Sequence, residues 1–317
     1  GGPERNPLWD PADAYSGFSA ATSAVSLDQD TIEFHVSPAA AGAPARVTLE
    51  PPNRVVTFTS SVVTVPSGYA NSVIITPLAS ENAYTVTGQI AASGHQTIYY
   101  LPVSRIPNYV ANVVESMLEA RGIDTMRGGR SGIAGSHAAV LWDHPSPPLR
   151  FIVRKMLFES NNHIAEQLLR TVGRSQSVAG DDQHGVQAEA AYLRSLQVPV
   201  SEMRVVDGSG LAAANRVSAL TLSTLLSREE RTPGGNPLYL ELPRGGIEGT
   251  VRFYHFGTAM GRVRAKSGHL SGVDALAGYV STHRHGRLAF AFLVDANANQ
   301  WMIDDAIARA VDRLADF

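Results

Sequence analysis

The sequence predicts an α+β fold, with a β-rich first part and a mixed helix-and-strand second part. Three observations carry this. Short alternating runs separated by turn signals fill the first hundred residues. From about residue 106 the apolar spacing becomes helical. Three strand-like runs and one amphipathic helix then close the chain. The change of period divides the sequence into 1–105, a small β-rich domain, and 106–317, a second domain. A chain of 317 residues is long enough to bury two cores.

In the first part, Ile32, Phe34 and Val36 alternate with Thr31, Glu33 and His35. Tyr84 and Val86 alternate with Thr85 and Thr87 in the same way. Further strands are predicted at Val55 to Thr59, Val62 to Val65, Val73 to Thr76 and Thr97 to Leu101, where β-branched and aromatic residues cluster. Pro51-Pro52-Asn53, Pro66-Ser67-Gly68 and Ser93-Gly94 mark turns between them.

In the second part, Val110, Val113, Val114, Met117 and Leu118 share one face of a helix, with Asn108 as its expected N-cap and Gly122 as its stop. After Pro145-Ser146-Pro147-Pro148, a second stripe runs through Leu149, Ile152, Val153, Met156 and Leu157. Ser160-Asn161-Asn162 interrupts it, and Ile164, Leu168 and Leu169 resume it. Such a polar break predicts exposed side chains. Helices are expected near 182–196 and 217–229, and strands at Val263 to Lys266, Ala275 to Ser281 and Leu288 to Val294. Ile303, Ile307, Val311 and Leu314 form the apolar stripe of a terminal helix.

Composition excludes several function classes. A net charge of −3 with scattered basic residues gives no nucleic-acid footprint. The absence of cysteine rules out disulfides, thiolate catalysis and cysteine-ligated zinc. The histidines show no H-E-x-x-H spacing, so no metal and no cofactor is expected. No apolar run is long enough to span a bilayer, and no signal peptide is expected within these residues. The chain begins Gly1-Gly2-Pro3 without methionine, which suggests a processed, truncated or engineered start.

Two short motifs carry the chemistry. In Lys266-Ser267-Gly268, an ammonium beside a hydroxyl can hold a carboxylate and ease proton movement. The glycine lets a substrate backbone approach the strand edge. The next residue, His269, can offer its backbone N–H to an oxyanion. A K-[ST]-G triplet alone occurs by chance in roughly one chain of this length in six, so context must decide. Ser160-Asn161-Asn162 has two readings: Ser160 relays a proton while Asn162 orients a substrate amide, or the segment caps a helix. Asp207-Gly208-Ser209-Gly210 reads as a tight turn. His163 reads as a surface or helix-face residue.

Order and flanks supply that context. Ser160-Asn161-Asn162 is followed by Asp207-Gly208-Ser209-Gly210-Leu211 with Asn215-Arg216, by Gly246-Ile247-Glu248-Gly249-Thr250, and by Ala265-Lys266-Ser267-Gly268 leading into Leu276-Ala277-Gly278-Tyr279. This succession resembles the low-molecular-mass class C penicillin-binding proteins, the D-alanyl-D-alanine carboxypeptidase/endopeptidases of peptidase family S13. The resemblance covers essentially the whole chain.

The resemblance implies a serine-transpeptidase/β-lactamase-like domain at 106–317, preceded by a β-rich inserted domain. It implies an acyl-enzyme on peptidoglycan stem peptides ending in D-Ala-D-Ala, penicillin binding and an extracytoplasmic location. Ser160 then matches the S-x-N serine, Asn162 its asparagine and Lys266 the K-T-G lysine, with Ser267, Gly268 and His269 lining the substrate.

Two features depart from the family. The S-x-x-K tetrad is missing: neither of the two lysines, Lys155 and Lys266, has a serine three residues before it. The expectation is that a nucleophile-bearing segment lies outside this chain, which alone is inactive. And His269 stands where the family usually has a small hydroxyl residue. Two alternatives remain at this level: a non-catalytic relative that binds cell-wall peptide, and a β-lactamase-like hydrolase.

Overall fold

The computed structural model describes residues 4–317, apart from 126–127, 134, 136, 141, 178–179 and 297. Gly1-Gly2-Pro3 lies outside the described residues. The chain divides into two compact units, one ending at Asp143 and one running from His144 to Phe317.

The first unit holds β1 (Thr31–Ser37), β2 (Arg46–Glu50), β3 (Thr57–Ser60), β4 (Val63–Val65), β5 (Ile74–Pro77), β6 (Ala83–Thr87), β7 (Gln89–Ala91), β8 (Thr97–Pro102) and α1 (Ile106–Glu119). β1 lies between β2 and β8, antiparallel to both. β6 pairs parallel with β3 and antiparallel with β5, and β4 pairs parallel with β7. The alternation read in β1 is real: Ile32, Phe34 and Val36 are fully buried, and the intervening side chains are not. They share a core with Tyr84, Val86, Ile90 and Leu101. Ile106, Tyr109 and Val113 join it from α1, so this helix packs on the β-rich core.

The expected N-cap of α1 needs correction. The helix starts at Ile106 with Arg105 in the cap position, and Pro107 sits in its first turn. Proline fits there because its fixed φ suits the helix and its missing N–H would have no partner. Asn108 lies inside the helix, where its Oδ1 accepts the Ser131 N–H at 3.1 Å.

The second unit holds α2 (Leu149–Glu159), α3 (Asn162–Gln176), α4 (Asp182–Ser195), α5 (Ala219–Glu230), α6 (Pro237–Glu241), β9 (Val263–Leu270), β10 (Val273–Ser281), β11 (Arg287–Asp295) and α7 (Gln300–Ala315). The strands form an antiparallel sheet in the order β11-β10-β9. One face buries Ala265, Leu276, Val280 and Phe290 against Ile303, Ile307, Ala308 and Val311 of α7. On the other face Tyr279 packs with Leu226 of α5 and Leu157 of α2. The Tyr279 hydroxyl donates to the Leu226 carbonyl at 2.9 Å and ties α5 to the sheet. Among the described residues, no helix is long and apolar enough to cross a membrane.

Candidate active site

Ser160 and Lys266 meet because α2 and β10 share a core. Leu157 packs toward Tyr279. Ala277, two residues before Tyr279, stands opposite Lys266 in the β9–β10 register. The end of α2 therefore lies on the face to which Lys266 points. There the helix breaks. Ser160 takes a left-handed backbone with φ 54°, and Asn161 caps α3 by accepting the Ile164 N–H at 2.9 Å. The cap reading and the exposed-side-chain reading are thus both realised, on different residues. Asn161 satisfies the new helix, and Ser160 is left half-buried with its hydroxyl free of capping.

The Lys266 ammonium donates to Ser160 Oγ at 2.7 Å, across 106 residues of sequence. It also donates to the Ser267 carbonyl. Burial pulls the Lys266 amine down to about 8 from its ordinary value of 10.5. It is still mostly charged at neutral pH, yet close enough to titration to pass a proton. Asn162, the first residue of α3, is partly buried beside Ser160 in sequence.

The side chains of Ser267 and His269 project from the opposite face of β9, as strand alternation requires. Ser267 Oγ lies 2.7 Å from Thr250 Oγ1. Thr250 is placed by Gly249, whose φ is 55°. A Cβ on Gly249 would come within 2.9 Å of the Phe158 carbonyl oxygen and of Pro243. Gly268 differs. Its added Cβ would meet only the Ala275 Cβ, at an ordinary 3.5 Å. Internal packing does not demand that glycine, and the strand is exposed there.

The outer edge of β9 is covered only in its first half. The Gly245 N–H bonds the Val263 carbonyl at 3.0 Å, and the Ala265 N–H bonds the Pro243 carbonyl at 3.1 Å. By alternation the backbone groups of Ser267 and His269 turn to the same outer side. There, among the described residues, no backbone group meets those of His269.

The His269 side chain is 62% exposed, and its Nδ1 lies 2.7 Å from Asp274 Oδ1. Asp274, its cross-strand partner, is buried. Gln300 at the start of α7 donates to Asp274 Oδ1 at 2.6 Å and to Asp304 Oδ1 at 3.0 Å. Among the described residues, no cluster of three or more His, Asp or Glu could hold a metal ion.

Asp207-Gly208-Ser209-Gly210 is a tight loop that Asp207 closes on itself. Its Oδ1 accepts the Gly210 N–H at 2.8 Å and its Oδ2 the Ala212 N–H at 2.7 Å. The Asn215 amide donates to Asp207 at 2.8 Å, and its oxygen accepts the Val206 N–H at 2.9 Å. Glu166 of α3 grips the loop from below. Its Oε1 accepts the N–H groups of Gly208 at 3.0 Å and Ser209 at 2.7 Å. Burial raises the pKa of Glu166, against the opposing pull of the bonds from Ser209 and Gly208. This carboxylate joins the S-x-N helix to the D-G-S-G loop. Sequence reading missed it, along with Asp274 and Gln300, and took Thr250 only as part of a flanking motif. An i, i+4 spacing from Asn162 is the one local signal that points to Glu166. His163, expected at a surface or on a helix face, lies on a buried helix face.

An antiparallel sheet with Lys266 on its edge strand, and Ser160 at a helix break that meets it, is the S-x-N and K-[ST]-G pairing of the penicillin-interacting fold class. The match extends over residues 1–315, and the chain belongs to the D-Ala-D-Ala carboxypeptidase 3 (S13) family. It is 32% identical to the D-alanyl-D-alanine carboxypeptidase of Actinomadura sp. (strain R39), over 98% of this chain and 60% of that protein. It is 38% identical to Carboxypeptidase DacB of Mycolicibacterium smegmatis, over 48% of this chain and 35% of that protein. The chain therefore spans about 60% of the length of the first of these relatives. Its fold matches the crystal structure of penicillin binding protein 4 (dacB) from Haemophilus influenzae with a TM-score of 0.78 and 20% identity, covering 100% of this chain and 73% of that one. A second structure of the Haemophilus protein, complexed with a β-lactam, matches with the same TM-score over 95% of this chain and 72% of that one.

Proposed function

We propose that the complete protein is a serine-type D-alanyl-D-alanine carboxypeptidase/endopeptidase that acts on peptidoglycan stem peptides in the cell envelope and is acylated by β-lactams. The observation that carries this reading is the 2.7 Å contact between Lys266 Nζ and Ser160 Oγ, beside a strand edge whose second half is open. The attacking serine belongs to an S-x-x-K tetrad, which these 317 residues lack.

In the proposed reaction the tetrad serine attacks the carbonyl of the penultimate D-alanine and gives its proton to the tetrad lysine. The substrate lies along the open half of β9, and Gly268 leaves room for its backbone. The outward His269 N–H binds the oxyanion as negative charge develops on it. Lys266 and Ser160 then pass a proton to the leaving amine, and the C–N bond breaks. Asn162 orients the substrate amide. Water hydrolyses the acyl-enzyme and frees the serine.

Labelling by a fluorescent penicillin in the product of the complete gene tests this. The wild-type protein should be labelled at one serine, and Lys266→Ala should slow labelling by at least about a hundredfold. An unlabelled wild-type protein refutes the proposal.

A further inference from the structure

The unusual residue of this site is His269, and its surroundings are built. The imidazole projects from the same face of β9 as the Ser267 hydroxyl, at the strand half that has no cover. One ring nitrogen is committed to Asp274. A carboxylate only accepts hydrogen bonds, so Nδ1 carries its hydrogen and Nε2 is the nitrogen offered outward. Gln300 fixes the carboxylate from α7 by donating to the same oxygen. The ring is thereby held in one tautomer and one orientation.

That arrangement has a chemical consequence. With a neutral ring, Nε2 is an acceptor and meets a carboxylate lone pair to lone pair. With a protonated ring, Nε2–H is a charged donor, and the ring's own charge is balanced by Asp274. Histidine is the side chain that changes between these states near neutral pH. We propose that His269, oriented by Asp274 and Gln300, is a proton-gated contact for the carboxylate that ends the substrate. This rests on the function proposed above and adds a substrate-selecting residue to it.

Asp274 from β10 meets the ring, Asp304 on α7 shares Gln300 with it, and Tyr254, after the turn that carries Thr250, feels both carboxylates. Asp304 and Asp274 add to the burial that raises the Tyr254 hydroxyl, so Tyr254 stays neutral throughout. Lys266 lies on the other face of the strand and titrates near 8. Its contribution is common to wild type and His269 variants.

The test uses the product of the complete gene and two probes, benzylpenicillin and its methyl ester. The second-order acylation rate is measured for each between about pH 8.5 and about pH 6. The acid-to-ester ratio in wild type should rise on acidification by on the order of tenfold more than in His269→Thr, the expected size of one charge-assisted hydrogen bond. His269→Lys, a permanent cation on the same strand, should give a high ratio at both ends of the range. Gln300→Ala should weaken the rise by loosening the initial binding constant while leaving the limiting acylation rate in place. An equal rise in wild type and His269→Thr overturns the gate and leaves the peptidase reading intact. No acylation by either probe at any pH overturns the peptidase reading, and the gate with it.

Discussion

β1 and β9 are both strands of three-stranded antiparallel sheets, yet they do opposite things. β1 is the middle strand of its sheet. Both of its edges are paired, and every second side chain is sealed in a core. β9 is an edge strand that begins in the same way, with Val263 and Ala265 fully buried, and then leaves the core. From Lys266 to His269 no large apolar side chain occurs, and the outer edge loses its cover. In the first strand sequence encodes only stability. In the second, the point where packing stops is where the candidate chemistry starts.

The largest effect that separates them is expected at Phe34. Its ring is fully buried and meets Phe58 and Tyr84 edge-on at 5.7 and 5.3 Å. Phe34→Ala should cost the β-rich unit about 3–5 kcal/mol, read from chemical denaturation of that unit. A loss below about 1 kcal/mol would mean that β1 is not the stability strand described.

Gly268 tests the other side of the comparison. Its neighbours leave ordinary space for a methyl group, so Gly268→Ala should change stability by about 0.5 kcal/mol or less. The same change should slow acylation of the complete protein about tenfold, because the methyl group stands where the substrate backbone approaches. Parallel losses of stability and rate would show that this half of β9 is structural after all.

Lys266 gives the smallest and most pointed effect. Its folded pKa of about 8 lies below the ordinary 10.5, so between those values the unfolded chain binds more protons than the folded one. Wild-type stability should therefore rise as pH climbs through that window. Lys266→Met should remove the rise and should stabilise the fold at neutral pH by on the order of 1 kcal/mol. Unfolding curves across the window, for both proteins, decide it. A flat wild-type profile would show that the amine is solvated like any surface lysine.

Much of this was legible from residue patterns, for identifiable reasons. β1, β6 and α7 follow clean periodicities because one face of each is buried and the other is not, whereas β10, covered on both faces, reads as a nearly continuous apolar run. β2 was not anticipated: Arg46–Glu50 alternates strictly between exposed and half-buried residues, but only Val47 and Leu49 are apolar, too few to mark a run. β7 is only Gln89–Ala91, too short for a pattern to form. The apolar period changes at residue 106, whereas the compact units part between Asp143 and His144, because α1 packs on the strands before it. Within the site, Ser160, Asn162 and Lys266 stood out because their triplets have recognisable order. Asp274, Gln300 and Glu166 did not, because each acts through a partner that only the fold brings to it, and single residues of ordinary type carry no local signal.

Ser160 stands in a backbone conformation that favours glycine, at φ 54°. Local propensity therefore argues for its removal. A stability-guided redesign would choose glycine here and gain a few tenths to about 1 kcal/mol. The same choice would delete the hydroxyl that Lys266 holds. The position works as an internal marker of selection. Any laboratory evolution of this protein for heat resistance alone should drift toward glycine at 160, and one that also demands turnover should refuse it.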